Sequence, residues 1–178
     1  MRDLTEKKIL SETVFKGRFL DVRRDIVKLP NDATSTREWI KHPGAVCIIP
    51  KLSNDTIALI RQFRYPVRKE MIELPAGKLD DNEKPVECAK RELEEEIGYK
   101  SNKLTFLTNI HPAIGFADEV MGLYFAEDLI KTTVNLDTDE FLEIMPTKLK
   151  KAVEMVWSGE ITDVKTIIGI LWAERLFP

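Results

Sequence analysis

The sequence predicts an α+β fold, an α/β/α sandwich in which a mixed sheet lies between helices, with a small antiparallel sheet at the N-terminus. Three observations support this prediction. The apolar runs AVCIIP and TIALIRQF have the length of strands that are buried on both faces. The Glu-rich segment from Pro85 to Ile97 has the spacing of an amphipathic helix. From Leu149 onwards the apolar residues again repeat with a helical period.

The N-terminal strands come first in the chain. From about Val14 to Ile40 the sequence reads TVFKGRFLDVRRDIVKL, a Pro-Asn-Asp turn and TREWI, which indicates two or three short strands. A sheet of this size is only marginally stable by itself. We therefore expect it to lie on the rest of the domain or on a second subunit. This divides the chain into an N-terminal β-sheet subdomain, residues 1–42, and a main domain, residues 43–178.

The elements of the main domain follow in order. After AVCIIP and TIALIRQF, the segment EMIEL is the next strand. The first helix is predicted over Pro85–Ile97, because proline favours the first helical position and Gly98 is placed to end it. Further strands are expected at KLTFLTNI, VMGLYFAEDL and EFLEIM. Two final helices are separated by Ser158-Gly159, and Thr162 is predicted to cap the second.

Composition and charge exclude several classes of protein. A formal net charge of −3 argues against nucleic acid or an anionic membrane surface as the main partner. Cys47 and Cys88 both lie in apolar surroundings, so we expect buried thiols and no disulfide framework. The N-terminus lacks the apolar run of a signal peptide, and no segment approaches the roughly 18 apolar residues of a membrane-spanning helix. These features predict a cytoplasmic protein.

Acidic residues cluster on the first predicted helix, directly behind a predicted Pro-Ala-Gly turn. At 3.6 residues per turn Glu92, Glu95 and Glu96 lie along one strip, while Leu93 and Ile97 point into the core. Carboxylate oxygens are the ligands that magnesium and manganese prefer. We interpret the strip as a platform for divalent metal ions. A solvated helix face is the alternative, and the specific sequence of the preceding loop argues against it.

The acids belong to a segment with fixed spacing. It reads Gly77, five residues, Glu83, seven residues, Arg91-Glu92-Leu93, one residue, Glu95-Glu96, one residue and Gly98-Tyr99. This pattern resembles the Nudix box, the defining motif of the Nudix hydrolases, which more often have an aliphatic residue in place of Tyr99. The longer strings LIRQFRYPV, ELPAGKLD, EFLEI and GEITDVKTIIGILWA resemble the ADP-ribose pyrophosphatases and their nucleoside-diphosphate-sugar relatives.

The resemblance implies a Nudix fold in which residues 43–178 are the catalytic domain, and a metal-dependent hydrolysis of a pyrophosphate. It implies one set of metal ligands: the Ala76 carbonyl, Glu92, Glu95 and Glu96. Magnesium is the expected ion and manganese the alternative. Glu96 and Arg91 are expected to be essential for catalysis, with Arg91 paired to Glu83 and orienting the acids. Glu94 falls at a variable position of the motif and is interpreted as a surface residue.

Further matching positions imply substrate contacts: Arg64 and Arg37 on the diphosphate and ribose side, Lys78 just after the first glycine of the box and beneath the substrate, and Glu119 at the terminal ribose. A planar guanidinium suits phosphate oxygens. Glu73 is expected to support Arg64 or a metal. Glu140 falls where the family has a mobile loop with an acid often assigned as general base, and Asp137 and Asp139 are close enough to be alternatives. An exposed position without function is the alternative for each of these residues.

The expected reaction is hydrolysis of ADP-ribose to AMP and ribose 5-phosphate. The ADP-ribose subgroup commonly reads Pro-x-Pro-Gly after the box, whereas this chain has HPAIG, with Pro112 kept and Ile114 in the second place. Another nucleoside-diphosphate sugar, such as GDP-mannose or ADP-glucose, is therefore the alternative substrate. A non-catalytic nucleotide-binding module is the alternative from another class, but such modules usually lose one or more acids of the box.

The resembling enzymes are homodimers that exchange the small N-terminal sheet, so a homodimer is implied. Phe15, Phe19 and Trp39 are expected to lie in the core, and stacking on a base is the alternative for each. His42 and His111 each precede a proline, and we interpret both as structural because no third metal ligand accompanies them.

Overall fold

A computed structural model describes residues 2–136, 138 and 140–177. A small antiparallel sheet contains β1 (Lys7–Lys16), β2 (Asp21–Lys28) and β3 (Thr34–Lys41) in that order. The other strands form a seven-stranded sheet: β4 (Ala45–Ser53), β5 (Thr56–Arg64), β6 (Lys69–Glu73), β7 (Ala76–Lys78), β8 (Tyr99–Ile110), β9 (Met121–Lys131) and β10 (Leu142–Lys148). The helices are α1 (Pro85–Ile97), α2 (Leu149–Trp157) and α3 (Val164–Leu176), and Tyr65–Val67 forms a 3₁₀ turn.

Strand β4 lies at the centre of the large sheet. It pairs antiparallel with β5 and β7 and parallel with β9, so the sheet is mixed. Its side chains alternate between two layers of core. Cys47 and Ile49 pack with residues of α2 and α3, whereas Val46 and Ile48 pack with residues of α1. The prediction of strands buried on both faces, inside an α/β/α sandwich, is confirmed.

Helix α1 has the bounds that the sequence predicts. Pro85 occupies its first position, and Gly98 ends it in the left-handed conformation, with φ of 68° and its N–H donated to the Glu94 carbonyl. A glycine adopts this conformation without the cost that a Cβ adds. Cys88, Leu93 and other apolar residues of the helix are buried against the sheet. This packing directs the acidic strip towards β7.

The structure differs from the sequence predictions at several points. Strand β1 begins at Lys7, well before Val14. The predicted Pro-Ala-Gly turn is wrong, because Ala76–Lys78 is a short strand paired with β4. Asp163, and not Thr162, caps α3, since its carboxylate accepts the backbone N–H of Thr166 at 3.0 Å. These differences arise from tertiary pairing and from a side-chain geometry that local propensity does not reveal.

The small sheet exposes much of its apolar surface. Every residue of β1 is exposed, and the expectation of a core position is wrong for Phe15 and Phe19, which are 55% and 61% exposed. The sheet joins the large domain near Ile40, whose N–H donates to the Phe116 carbonyl at 2.8 Å. The division of the chain at residue 42 stays a prediction.

The sequence predicts buried thiols without a disulfide framework, and no membrane-spanning helix. Cys47 and Cys88 are free and buried, as predicted. Among the described residues, the structure contains no helix that is long and apolar enough to span a membrane.

Candidate active site

An open cavity of about 960 Å³ lies where the small sheet meets β7, α1 and the segments before β9 and α3. Most of the residues that the sequence analysis selected line this cavity: Arg64, Ala76, Lys78, Arg91, Glu92, Glu95, Glu119 and Glu140. Glu96 lies on α1 with Glu92 and Glu95, and it is almost fully buried, with 1% of its surface exposed. The fold thus brings together residues that are far apart in the sequence.

The close approach of β7 to α1 depends on Gly77. A Cβ at this position would lie 1.8 Å from Oε1 and 1.9 Å from Cδ of Glu92. Distances this short cannot be accommodated, so any larger residue would displace the Glu92 carboxylate. Gly77 therefore allows the Glu92 carboxylate to pack against the backbone of β7. The glycine at this position of the sequence pattern thus has a steric explanation.

Arg91 connects the acids to one another. Its Nε and Nη2 donate to the two oxygens of Glu83, each at 2.9 Å, while Nη1 donates to Glu92 at 2.7 Å and to Glu95 at 2.9 Å. Nη2 also donates to the Lys78 carbonyl at 3.1 Å. The hydrogen bonds from Arg91 lower the pKa of Glu83 to about 2. One guanidinium thereby fixes the orientation of three carboxylates.

Two acids of the strip, Glu92 and Glu96, are disfavoured in their charged form when no cation lies beside them. Burial raises the pKa of Glu92 to about 7, and the charges of Glu95 and Glu140 act in the same direction against Arg91. Burial also raises the pKa of Glu96 well above its ordinary value, with Glu92 and Glu140 adding to the effect. The N–H of Ala76 donates to Glu96 at 3.0 Å. This hydrogen bond lowers the pKa of Glu96, but by less than burial raises it. Such a cluster favours a cation.

The donor set fits a divalent cation. Carboxylate oxygens from one helix turn and a nearby backbone carbonyl are hard ligands, and an added cation would offset the excess buried charge. Within the described part of the chain, no three His, Cys, Asp or Glu side chains already converge as a metal-binding group. Glu92 and Glu95 turn towards Arg91, and Glu96 turns towards the Ala76 N–H. The assignment of metal ligands stays a prediction.

A second network holds Arg64 in place. Its Nε and Nη2 donate to the two carboxylate oxygens of Glu73 at 2.7 and 2.8 Å, and Glu73 also accepts a hydrogen bond from Lys165. Lys165 donates in turn to Asp163 at 2.9 Å. Burial raises the pKa of Glu73, but Arg64 and Lys165 together lower it by more, so the net shift of this pKa is downward. Of the two roles expected for Glu73, this geometry agrees with the support of Arg64.

Sequence reasoning gave no role to Lys165 and Asp163, although both line the cavity. They lie in the string GEITDVKTIIGILWA, about a hundred positions after Arg64. The sequence offers one indication of them: Asp163 and Lys165 stand at the start of a helix whose other residues are mostly apolar. A lysine in an otherwise apolar helix is rarely buried unless it is paired, and this feature could have selected Lys165.

Replacing Glu73 by glutamine is expected to lower the free energy of unfolding by about 3 kcal/mol at pH 7, because the buried Lys165 and the half-buried Arg64 lose their shared anion. The pKa of Glu73 is depressed, so its contribution is fully present above its unfolded pKa and is lost as the pH falls through its folded pKa. The difference between wild type and Glu73→Gln should therefore shrink below about pH 4.5. Urea titrations at pH 7 and at low pH measure it.

Glu70→Gln is the matched control for this change, because Glu70 lies on the same strand and forms an exposed pair with Arg61 at 3.3 Å. We expect it to alter the free energy of unfolding by less than about 0.5 kcal/mol. Equal effects of the two substitutions would contradict a special role for Glu73.

The remaining predicted residues lie in different settings. Arg37 does not reach the cavity of its own chain, and its Nε donates to Glu6 at 3.0 Å. The Lys78 ammonium lies 4.1 Å from the centre of the Phe19 ring at the cavity wall. Asp137 and Asp139, the alternatives to Glu140, lie outside the described residues. The choice of general base thus stays open.

Comparison with protein families agrees with this geometry. Residues 41–161 match the NUDIX domain, and residues 6–40 match the nucleoside diphosphate sugar hydrolase N-terminal domain. The chain therefore belongs to the Nudix family, whose hydrolases generally use divalent metal ions. It is a Nudix pyrophosphohydrolase of the ADP-ribose pyrophosphatase-like type, so the prediction of an enzyme is confirmed.

Individual relatives share most of their length with the chain. It is 41% identical to the ADP-ribose pyrophosphatase of Bacillus subtilis, over 98% of this chain and 95% of the relative. The methanol dehydrogenase activator of Bacillus methanolicus is 39% identical, over 95% and 92%. The GDP-mannose pyrophosphatase of Yersinia enterocolitica is 31% identical, over 74% and 73%. A crystal structure of an ADP compounds hydrolase has the same fold, with a TM-score of 0.87 at 23% identity, covering 99% of this chain and 96% of the other.

Proposed function

We propose that the protein hydrolyses ADP-ribose to AMP and ribose 5-phosphate with Mg²⁺ bound. The observation that carries this proposal is the acidic strip of α1, on which Glu92 and Glu95 line a cavity that also contains the cations Arg64 and Lys78, while Glu96 is buried on the same helix. A cavity of about 960 Å³ is large enough for a nucleotide sugar. The similarity to the ADP-ribose pyrophosphatase of Bacillus subtilis supports the choice of substrate.

Each residue has a part in the proposed mechanism. The Ala76 carbonyl, Glu92, Glu95 and Glu96 would hold the metal, which supplies charge neutralisation and an activated water at the diphosphate. Arg91 keeps Glu92 and Glu95 oriented through its pairing with Glu83. Arg64 is fixed by Glu73, so that its Nη1 can bind a phosphate oxygen without further loss of rotamer freedom.

Proton transfer is assigned to Glu140 in this proposal. Its carboxylate is close enough to raise the pKa of both Glu92 and Glu96, which supports a position beside the acids. In the proposed reaction Glu140 accepts the proton of the water that attacks the diphosphate. Lys78 and Glu119 are assigned to the substrate, the first near the diphosphate and the second at the terminal ribose.

A substrate panel tests the activity. ADP-ribose is expected to give the highest kcat/KM, with AMP and ribose 5-phosphate formed in equal amounts and resolved by ion-exchange chromatography. Chelation with EDTA should abolish hydrolysis, and added Mg²⁺ should restore it, because the acids need a cation to bind the diphosphate. A higher kcat/KM for GDP-mannose or ADP-glucose than for ADP-ribose would favour the alternative that another nucleoside-diphosphate sugar is the substrate. The exposed Ile114 and the GDP-mannose pyrophosphatase relative support this alternative.

We also propose that the protein is a homodimer in which the small sheet contacts the second subunit. The exposure of Ile9, Leu10 and Phe15 supports this, since several large apolar side chains exposed on one strand are typical of an interface. Arg37, which lies outside its own cavity, would then contribute to the site of the second subunit. Sedimentation equilibrium should give the mass of two chains, and the mass of one chain at micromolar concentration would contradict the proposal.

A further inference from the structure

His42 and Glu119 face each other on the wall of the cavity. Their side chains are only 12% and 18% exposed, and Nε2 of His42 lies 3.9 Å from Oε1 of Glu119. The sequence predicts a structural role for His42 and no part in the site. Its position beside a residue assigned to the substrate requires a different interpretation.

The structure determines which nitrogen of His42 carries the proton. The N–H of Gly44 donates to Nδ1 at 3.1 Å, so Nδ1 is an acceptor, and in the neutral ring Nε2 carries the hydrogen. Gly44 has φ of 98°, a conformation that favours glycine, and this holds the donor in place. The main-chain N–H of His42 donates to Asp118 at 2.7 Å, which ties the histidine to the residue before Glu119.

The distance between the two side chains defines what can bind between them. A separation of 3.9 Å is too long for a direct hydrogen bond. One oxygen atom about 2.8 Å from both groups fits the gap. That oxygen must accept from Nε2–H and donate to the carboxylate, and a hydroxyl does both. A phosphate or carbonyl oxygen only accepts, so it could pair with Nε2–H of His42 but would be repelled by the Glu119 carboxylate.

We propose that His42 is a specificity-determining residue that, together with Glu119, binds one hydroxyl group of the substrate's sugar. The proposal deepens the proposed function and rests on it, because Glu119 is assigned to the terminal ribose there. The pair selects a hydroxyl by pairing one donor with one acceptor. A nucleoside diphosphate that carries no hydroxyl on its second ester group would leave both groups unpaired.

The test compares two substrates, ADP-ribose and ADP esterified on its terminal phosphate with a propyl group, which has no hydroxyl. His42→Asn is the main variant, because the Asn oxygen can still accept the Gly44 N–H while no donor reaches the position of Nε2. We expect it to raise KM for ADP-ribose about tenfold. Its kcat should change less than about threefold, because the hydroxyl is not the reacting group. KM for the propyl ester should stay unchanged.

Three further variants make the test specific. His42→Gln places an amide near the position of Nε2 and should recover part of the lost affinity. In combination with Glu119→Ala, His42→Asn should add no further increase in KM, because the two residues hold one hydroxyl. His111→Ala is the matched control, since His111 is exposed and also precedes a proline. Its KM for ADP-ribose should equal that of wild type.

Three results would overturn the proposal: an unchanged KM in His42→Asn, an equal rise in KM for both substrates, or additive effects in the double variant. Urea unfolding would show whether His42→Asn fails to fold. In that case the KM values of Glu119→Ala and His42→Gln for ADP-ribose and for the propyl ester test the proposal. Failure of the proposed function is visible separately in wild type. If another nucleoside-diphosphate sugar leads the substrate panel, the same variants assayed on that sugar test His42.

Discussion

Replacing Glu96 by glutamine is expected to lower the turnover number by roughly a thousandfold or more. Glutamine has the same shape and retains an oxygen that can accept the Ala76 N–H, which donates to Glu96 at 3.0 Å. It lacks the charge that a metal ligand at this position would supply. Initial rates with ADP-ribose at saturating Mg²⁺ measure the loss, and isothermal titration with Mn²⁺ measures the metal affinity of the same variant.

The fold should survive this substitution. Glu96 is buried and its pKa is raised, so a charge at this position is unfavourable without metal. The free energy of unfolding of Glu96→Gln in EDTA should therefore equal or exceed that of wild type. Glu94→Gln is the matched control on the same helix, because Glu94 pairs with Lys100 at 3.1 Å on the surface. It should retain full turnover. Turnover of Glu96→Gln near the wild-type value would contradict the assignment of Glu96 to metal.

Replacing Gly77 by alanine is expected to lower the turnover number by about a hundredfold, through geometry and without any change in charge. The new Cβ would lie 1.8 Å from Oε1 of Glu92, so the carboxylate must move away. The Mg²⁺ concentration for half-maximal rate should rise at least about tenfold, because one ligand is displaced. A titration of the rate with Mg²⁺ at fixed ADP-ribose measures both effects.

The stability of Gly77→Ala should change by less than about 1 kcal/mol, since the displaced atoms are the end of a flexible side chain. Gly115→Ala is the matched control, because a Cβ at Gly115 meets nothing within 4 Å. We expect its turnover and Mg²⁺ dependence to match those of wild type. If both glycine variants lose activity equally, a general sensitivity to alanine explains the result better than displacement of Glu92.

The two predictions separate charge from position. Glu96→Gln keeps the shape of the acid strip and removes one charge, whereas Gly77→Ala keeps every charge and moves one carboxylate. Together they test whether the hydrolase needs both the number and the placement of its acids. A metal site held by Arg91 and by the approach of β7 should be sensitive to each change separately.

Much of the fold and of the site could be predicted from the sequence. The apolar runs of β4 and β5 and the helix Pro85–Ile97 are periodic and bounded by proline or glycine, and such signals are local. The spacing from Gly77 to Gly98 predicts the acid strip for the same reason, because a helix fixes the relative directions of its own side chains. The sequence does not predict the strand at Ala76–Lys78, since this strand pairs with β4, which is distant along the chain.

The sequence by itself determined the helix with its acids, the alternation of the buried strands and the family to which the chain belongs. Only the tertiary structure placed Lys165 on Glu73 and His42 opposite Glu119, because each pair joins segments that are more than seventy residues apart. Local spacing carries no information about such contacts. They depend on how the sheet packs its helices and on long-range hydrogen bonds, such as the one from the main-chain N–H of His42 to Asp118.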